Sequence, residues 1–138
     1  MRSLFLPLIL SILLGQAACT KDQNFSIVVY DSIPQIINTS EKFLYSFRMG
    51  YLTLDTLIPL AFERDSMSIH LKISDYKSGY AFSFLQGSDT TSLSPAPLQT
   101  NYDTLIRIVK TDTLLNWGFF TYKFTGNFSV EILPWKTP

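Results

Sequence analysis

Along most of the chain the apolar residues recur at every second position, the period of a β-strand with one face turned to a core. In "FSIVVY" (25–30) Phe25, Ile27 and Val29 share a side, and "KFLYSFRM" (42–49) sets Phe43, Tyr45 and Phe47 against Leu44, Ser46 and Arg48. The alternation is cleanest in "SMSIHLKI" (66–73), with Met67, Ile69, Leu71 and Ile73 predicted inward and Ser68, His70 and Lys72 toward water. "GYAFSFLQG" (79–87) gathers Tyr80, Phe82 and Phe84 on one face, and "DTLIRIVK" (103–110) places Leu105 and Val109 opposite Ile106 and Ile108. "NWGFFTYKF" (116–124) and "NFSVEIL" (127–133) complete the series. The "TGN" at 125–127 predicts a hairpin turn between them, because Gly and Asn tolerate positive φ.

What lies between these segments punctuates them. No stretch carries a helical stripe with caps at both ends. In "DSIPQIINTSEKF" (31–43) Pro34 and the Ile36–Ile37 pair predict an extended edge or a loop. "GSDTTSLSPAPLQTN" (87–101), with Pro95 and Pro97 among small polar residues, predicts a long surface loop. Seven or eight short strands without helices point to an all-β fold, a single antiparallel β-sandwich resembling the immunoglobulin-like type. A small closed β-barrel is the second architecture that fits. The abundance of Phe, Tyr, Thr and Ser agrees with either, since aromatic and β-branched side chains pack well on a pleated surface.

The first residues follow a different pattern. Arg2 precedes an apolar run from Leu4 to Leu14, and the small residues Gly15, Ala17 and Ala18 lead to Cys19, the only cysteine. The run is shorter than the roughly 20 residues that cross a bilayer, and its three parts are those of a secretory signal peptide. With Ala17 and Ala18 before Cys19, the arrangement resembles a bacterial lipoprotein signal, although Gln16 stands where that pattern has Leu. The resemblance implies removal of residues 1–18, acyl chains on Cys19, a polar tether at 19–24 and a folded domain from 25 to 138. Lys21 and Asp22 also resemble the export signal of surface lipoproteins in Bacteroidota, which implies an outer-membrane lipoprotein facing the periplasm or the surface. Plain secretion with cleavage near Ala17 or Ala18 remains open. In either case a lone cysteine leaves the fold without an internal disulfide.

Six of the eight aspartates open one tripeptide, Asp followed by Ser or Thr and then by an apolar residue or Thr. Two causes fit it. Asp-Ser/Thr bonds nearby backbone at a turn, so that the third residue begins a buried face. The tripeptide also resembles the O-glycosylation sequon of Bacteroidota envelope proteins. That resemblance implies sugars on Ser32, Thr56, Ser66, Thr90, Thr104 and Thr113, with Thr90 favoured by its place in the long loop. Three Asn-x-Ser/Thr matches, at Asn24, Asn38 and Asn127, are read as composition.

Charge narrows the partners: eleven basic against eleven acidic residues gives no reason to expect nucleic acid. One His and one Cys cannot build a zinc site, so neither a metal nor a cofactor is expected. His70 sits on the predicted solvent side, with no sequence neighbour suggesting an orienting acid and a nucleophile, and Glu63 with Asp65 reads as a solvated loop. Trp117 and Tyr122 are expected in the core, and Trp135 over the end of the sandwich. The expectation is therefore not an enzyme but a lipid-anchored envelope protein with a binding or structural role, its partner an envelope protein or a glycan. A small-ligand-carrying β-barrel is the alternative.

Overall fold

The computed structural model describes residues 33–110, 112 and 114–135. The predicted signal, tether and strand at 25–30 lie outside them, as do Cys19, Ser32 and Thr113. The described residues form six strands and no helix: β1 (Gln35–Asn38), β2 (Phe43–Pro59), β3 (Ser66–Gln86), β4 (Thr90–Ser92), β5 (Tyr102–Val109) and β6 (Asn116–Pro134). All pair antiparallel in one open sheet of order β1-β2-β6-β3, with β5 on the first part of the outer edge of β3 and β4 on the last part. β1 is the extended edge expected around Pro34.

The strands are fewer and much longer than the sequence predicts, at 17, 21 and 19 residues for β2, β3 and β6. "SMSIHLKI" and "GYAFSFLQG" are two parts of β3, and the expected "TGN" hairpin does not form. A hairpin there would pair 116–124 with 128–134, but β2 and β3 flank β6 on both sides throughout and keep it running on. Instead β6 turns a corner. Phe119 and Phe128 would stand about 30 Å apart on a straight strand, yet their rings are 4.0 Å apart centre to centre.

Each long strand bends at the same level. Tyr51 in β2 (φ 54°), Asp75 in β3 (φ 52°) and Lys123 in β6 (φ 47°) all take the left-handed conformation, with Gly79 of β3 beside them (φ 75°). Ladder register shifts there in both flanking pairs, the bulge geometry by which a sheet curves. Side-chain hydroxyls replace the interrupted ladder. Thr121 accepts from the Leu54 N–H (3.1 Å) and donates to the Leu52 carbonyl (3.0 Å), while Thr125 accepts from Tyr51 and Thr53 from Lys123. Backbone polar groups, those of Leu52 and Leu54 part-buried, are thus met where the sheet alone could not meet them.

The corner divides the sheet into a lower arm (43–49, 66–74 and 126–134, with β1 and β5) and an upper arm (52–59, 78–86 and 116–124, with β4), folded inner face to inner face. Trp117 and Phe119 of the upper arm meet Phe43, Tyr45 and Phe128 of the lower one, Trp117 lying 4.8 Å from Tyr45. The Trp117 indole N–H donates to the buried Ser83 hydroxyl at 2.8 Å. Opposite these rings β3 presents Ala81, Ser83 and Leu85, so large side chains on one strand face small ones on the next.

That volume match corrects the reading of 79–87. Ala81, Ser83 and Leu85 are the inward set, and Tyr80, Phe82 and Phe84 turn outward. The expected surface loop at 87–101 is also partly core. It contains β4, buries Leu93 and Leu98, and bridges Leu98 to Ala81 through two backbone hydrogen bonds.

Candidate functional site

The outer faces of the two arms differ in chemistry although the same three strands build both. On the lower arm the outward positions are mostly polar, tied by cross-strand pairs: Lys42 with Glu131 at 2.6 Å, His70 with Asp103 at 2.6 Å, and Lys72 with Asp103 at 3.7 Å. Such a face is at ease in water. On the upper arm five of the outward positions of β3 and β6 are aromatic: Tyr80, Phe82, Phe84, Phe120 and Tyr122.

The antiparallel register sets Tyr80 opposite Tyr122 and Phe82 opposite Phe120, while Phe84 faces Gly118. Tyr80 stacks on Tyr122 (5.5 Å) and leans on Phe120 (6.0 Å), and Phe82 contacts Phe84 at 5.9 Å. A side chain on Gly118 would fall inside the Phe84 ring, so the missing Cβ is what lets that ring lie across β6. Outer-face neighbours on β2 extend the surface through Asp55 and Leu57, both exposed. Tyr122 is 42% and Leu57 52% exposed, while Tyr80, Phe82, Phe84 and Phe120 are half-buried, so the rings form a partly open aromatic patch with Asp55 at its β2 side. At the corner Lys123 lies 5.1 Å from the centre of Tyr122 and 5.8 Å from that of Tyr51, a cation–π pairing at the rim. Hydrogen bonding to the Tyr122 phenol first, and then to that of Tyr51, raises the Lys123 pKa above the usual lysine value.

A second feature lies on the open side of β2, between the arms. It is a groove of roughly 460 Å³, lined chiefly by Ile36, Tyr45, Phe47, Leu52, Leu54 and Ile58. One end is held by Asn38, whose side chain donates to the Pro59 carbonyl (2.9 Å) and accepts from the Ala61 N–H (2.8 Å). Burial pushes the Tyr45 phenol pKa up.

The residues singled out by sequence fall unevenly on this frame. Trp117 is core as expected, Trp135 is half-buried beside the end of β6 with the Arg107 guanidinium 5.4 Å from its ring centre, and Tyr122 is on the outer face and not in the core. His70 is half-exposed on the solvent side, as its alternation predicts, and it does have an acid partner, Asp103. Cross-strand register brings that partner from β5, thirty-three residues away, where no sequence spacing reveals it. Among the described residues no hydroxyl or thiol bonds to the ring, so the pair has an orienter and a base without a nucleophile. Glu63 and Asp65 are exposed between β2 and β3, with Arg64 paired to Glu41 at 2.6 Å. Among the described residues no group of three or more His, Cys, Asp or Glu comes together as a metal site.

Of the Asp-Ser/Thr sites, only Asp65-Ser66-Met67 opens a strand with a buried third residue. Thr56 and Thr104 are half-buried inside β2 and β5, while Leu57, Leu105 and Leu114 at the third position are 52%, 56% and 83% exposed. Thr90 is exposed at the start of β4. The turn-and-core explanation therefore accounts for one of these sites and not for the exposed leucines. Compared with known protein families and with curated protein sequences, the chain matches none.

Proposed function

We propose that this protein is a lipid-anchored component of a bacterial cell envelope that works by non-catalytic binding, offering the aromatic face of β3 and β6 to an apolar face of another envelope protein. The observation that carries the reading is the contrast between the arms. One outer face is tied by ion pairs, with single aliphatics such as Leu105 and Val109 between them, and the other gathers half-buried rings that the core does not use around the exposed Tyr122. Exposed contiguous aromatics mark interaction surfaces, where tyrosine supplies contact area at little entropic cost. A protein face suits this surface better than a single sugar chain, because it spans three strands and ends on aliphatic Leu57 and Pro59. On this reading the folded sheet serves as a sandwich whose layers are two halves of the same strands, in the manner of orthogonal packings with strands that switch layers at a bend.

The anchor rests on residues 2–19, and the tripeptides support a glycosylated surface with Thr90 as its most accessible acceptor. The groove beside β2 favours a second reading, a carrier of a small apolar ligand; the open sheet would hold such a ligand between the arms and not in a barrel.

Two measurements on protein from its native cells test the proposal. Mass spectrometry of the mature N-terminus is expected to find acylated Cys19; an unacylated Cys19 or a start at Ala18 overturns the anchor. Tyr80→Ser with Tyr122→Ser is expected to abolish the in-cell cross-linked complex while leaving the fold intact, since neither ring belongs to the core. A complex that survives the double substitution overturns the binding face, and binding instead to a purified envelope glycan would replace the protein partner with a sugar.

A further inference from the structure

We infer that the groove on the open side of β2 is the seat of this chain's own residues 25–30, "FSIVVY", added as a further antiparallel strand along β2. The inference goes beyond the proposed function and does not rest on it. Residues 25–30 lie outside the described part of the chain. Four properties of the seat agree.

The first is an unfilled edge. β1 pairs with β2 only as far as Ser46, and among the described residues nothing pairs with the side of 52–58 that faces away from β6. An open strand edge of that length, next to apolar side chains, invites another strand.

The second is register. β1 runs back from Asn38 opposite Phe43 to Gln35 opposite Ser46, one step on β1 for one on β2. Continued around the corner, the same count sets Tyr30 against Tyr51 and Phe25 against Thr56, apart from the small shift that the corner imposes on the other ladders.

The third is facing. Ile36 stands opposite Tyr45 on the inner side. In β2 the inward set changes from Phe43, Tyr45, Phe47 and Met49 to Leu52, Leu54, Thr56 and Ile58, a switch from odd to even positions at the bulge. The same one-residue switch on the β1 side turns Phe25, Ile27 and Val29 into the groove. Those three are the apolar face that the alternation of the segment itself picks out.

The fourth is connection. Pro34 lines the mouth of the groove, and only residues 31–33 separate it from Tyr30. A segment delivered by so short a link competes at high effective concentration with any strand from a second copy or any free ligand. Filling the groove from within also displaces the carrier reading, buries Thr56 away from modification, and leaves the aromatic face as the surface open to a partner.

Amide hydrogen exchange followed by NMR on the full chain tests this without any variant. Slow exchange is expected both for 25–30 and for the amides of 52–58 that face away from β6. The pair Ile27→Asp with Val29→Asp is expected to speed exchange in both segments together by at least roughly tenfold, whereas Ser26→Asp with Val28→Asp leaves both protected. Free-chain exchange of 25–30 in the unaltered protein overturns the inference. So does protection of 52–58 that grows with protein concentration, the mark of a second copy, or equal effects of the two variant pairs. If the inward pair does not fold, the unaltered protein alone decides.

Discussion

Single side chains show where sequence pattern reaches and where it stops. The outward placement of His70 was legible from alternation, but Asp103 as its partner depends on which strands are neighbours. The hydrogen bond from His70, with a smaller contribution from Lys72, holds the Asp103 carboxyl below the usual aspartate range. A depressed folded-state value supports the fold above the unfolded carboxylate pKa of about 4 and loses that support as pH falls through the folded value. Both groups are exposed, so the effect is small. The urea midpoint of the unaltered protein is expected to exceed that of Asp103→Asn near neutral pH, and the gap to close toward the acid end. Ser83 is a sharper case. Its alternation with Phe82 and Phe84 suggests a surface hydroxyl, whereas it is fully buried as the acceptor for Trp117. Ser83→Ala leaves that N–H unsatisfied and is expected to cost about 1–3 kcal/mol in urea unfolding.

At the scale of elements, period two picked out the stretches that form β2, β3, β5 and β6 but not their ends, and it missed β4 in the stretch read as a loop. The corners are hidden because three of their five positive-φ residues are Tyr51, Asp75 and Lys123 and not glycine. Gly79, a corner glycine that reads as punctuation, looks like a strand boundary when it is a bend within β3. "TGN" misled for the opposite reason: its residues permit a turn, but two flanking strands outweigh what the turn would gain. Gly79→Ala brings a Cβ into the Tyr122 and Lys123 carbonyls at positive φ, and is expected to lower stability by more than the roughly 1 kcal/mol of a strained backbone alone. Thr121→Val keeps the shape of the corner while removing both of its hydrogen bonds, and about 1–3 kcal/mol should be lost in the same assay. If Thr121→Val unfolds at the unaltered midpoint, the hydroxyls are not what completes the corner.

For the molecule as a whole, the all-β antiparallel character was readable, while the single folded sheet was not. Local alternation says that a strand has two faces; it does not say that a strand of 21 residues serves two layers. The candidate surface was hidden by the same ambiguity. Tyr80, Phe82 and Phe84 look like a core stripe until Trp117 and Phe119 take up the interior and leave only Ala81, Ser83 and Leu85 room beside them. Aromatic residues on both sides of one arm are then more than the core requires. The central claim is that this surplus is a docking face. The most direct measurement places a photo-reactive side chain at Tyr122 and, separately, at Ser129 on the polar outer face of the lower arm, and cross-links in the native envelope. The account expects one discrete protein adduct from position 122 and none from 129. Adducts of the same pattern from both positions, or from 129 alone, would contradict it.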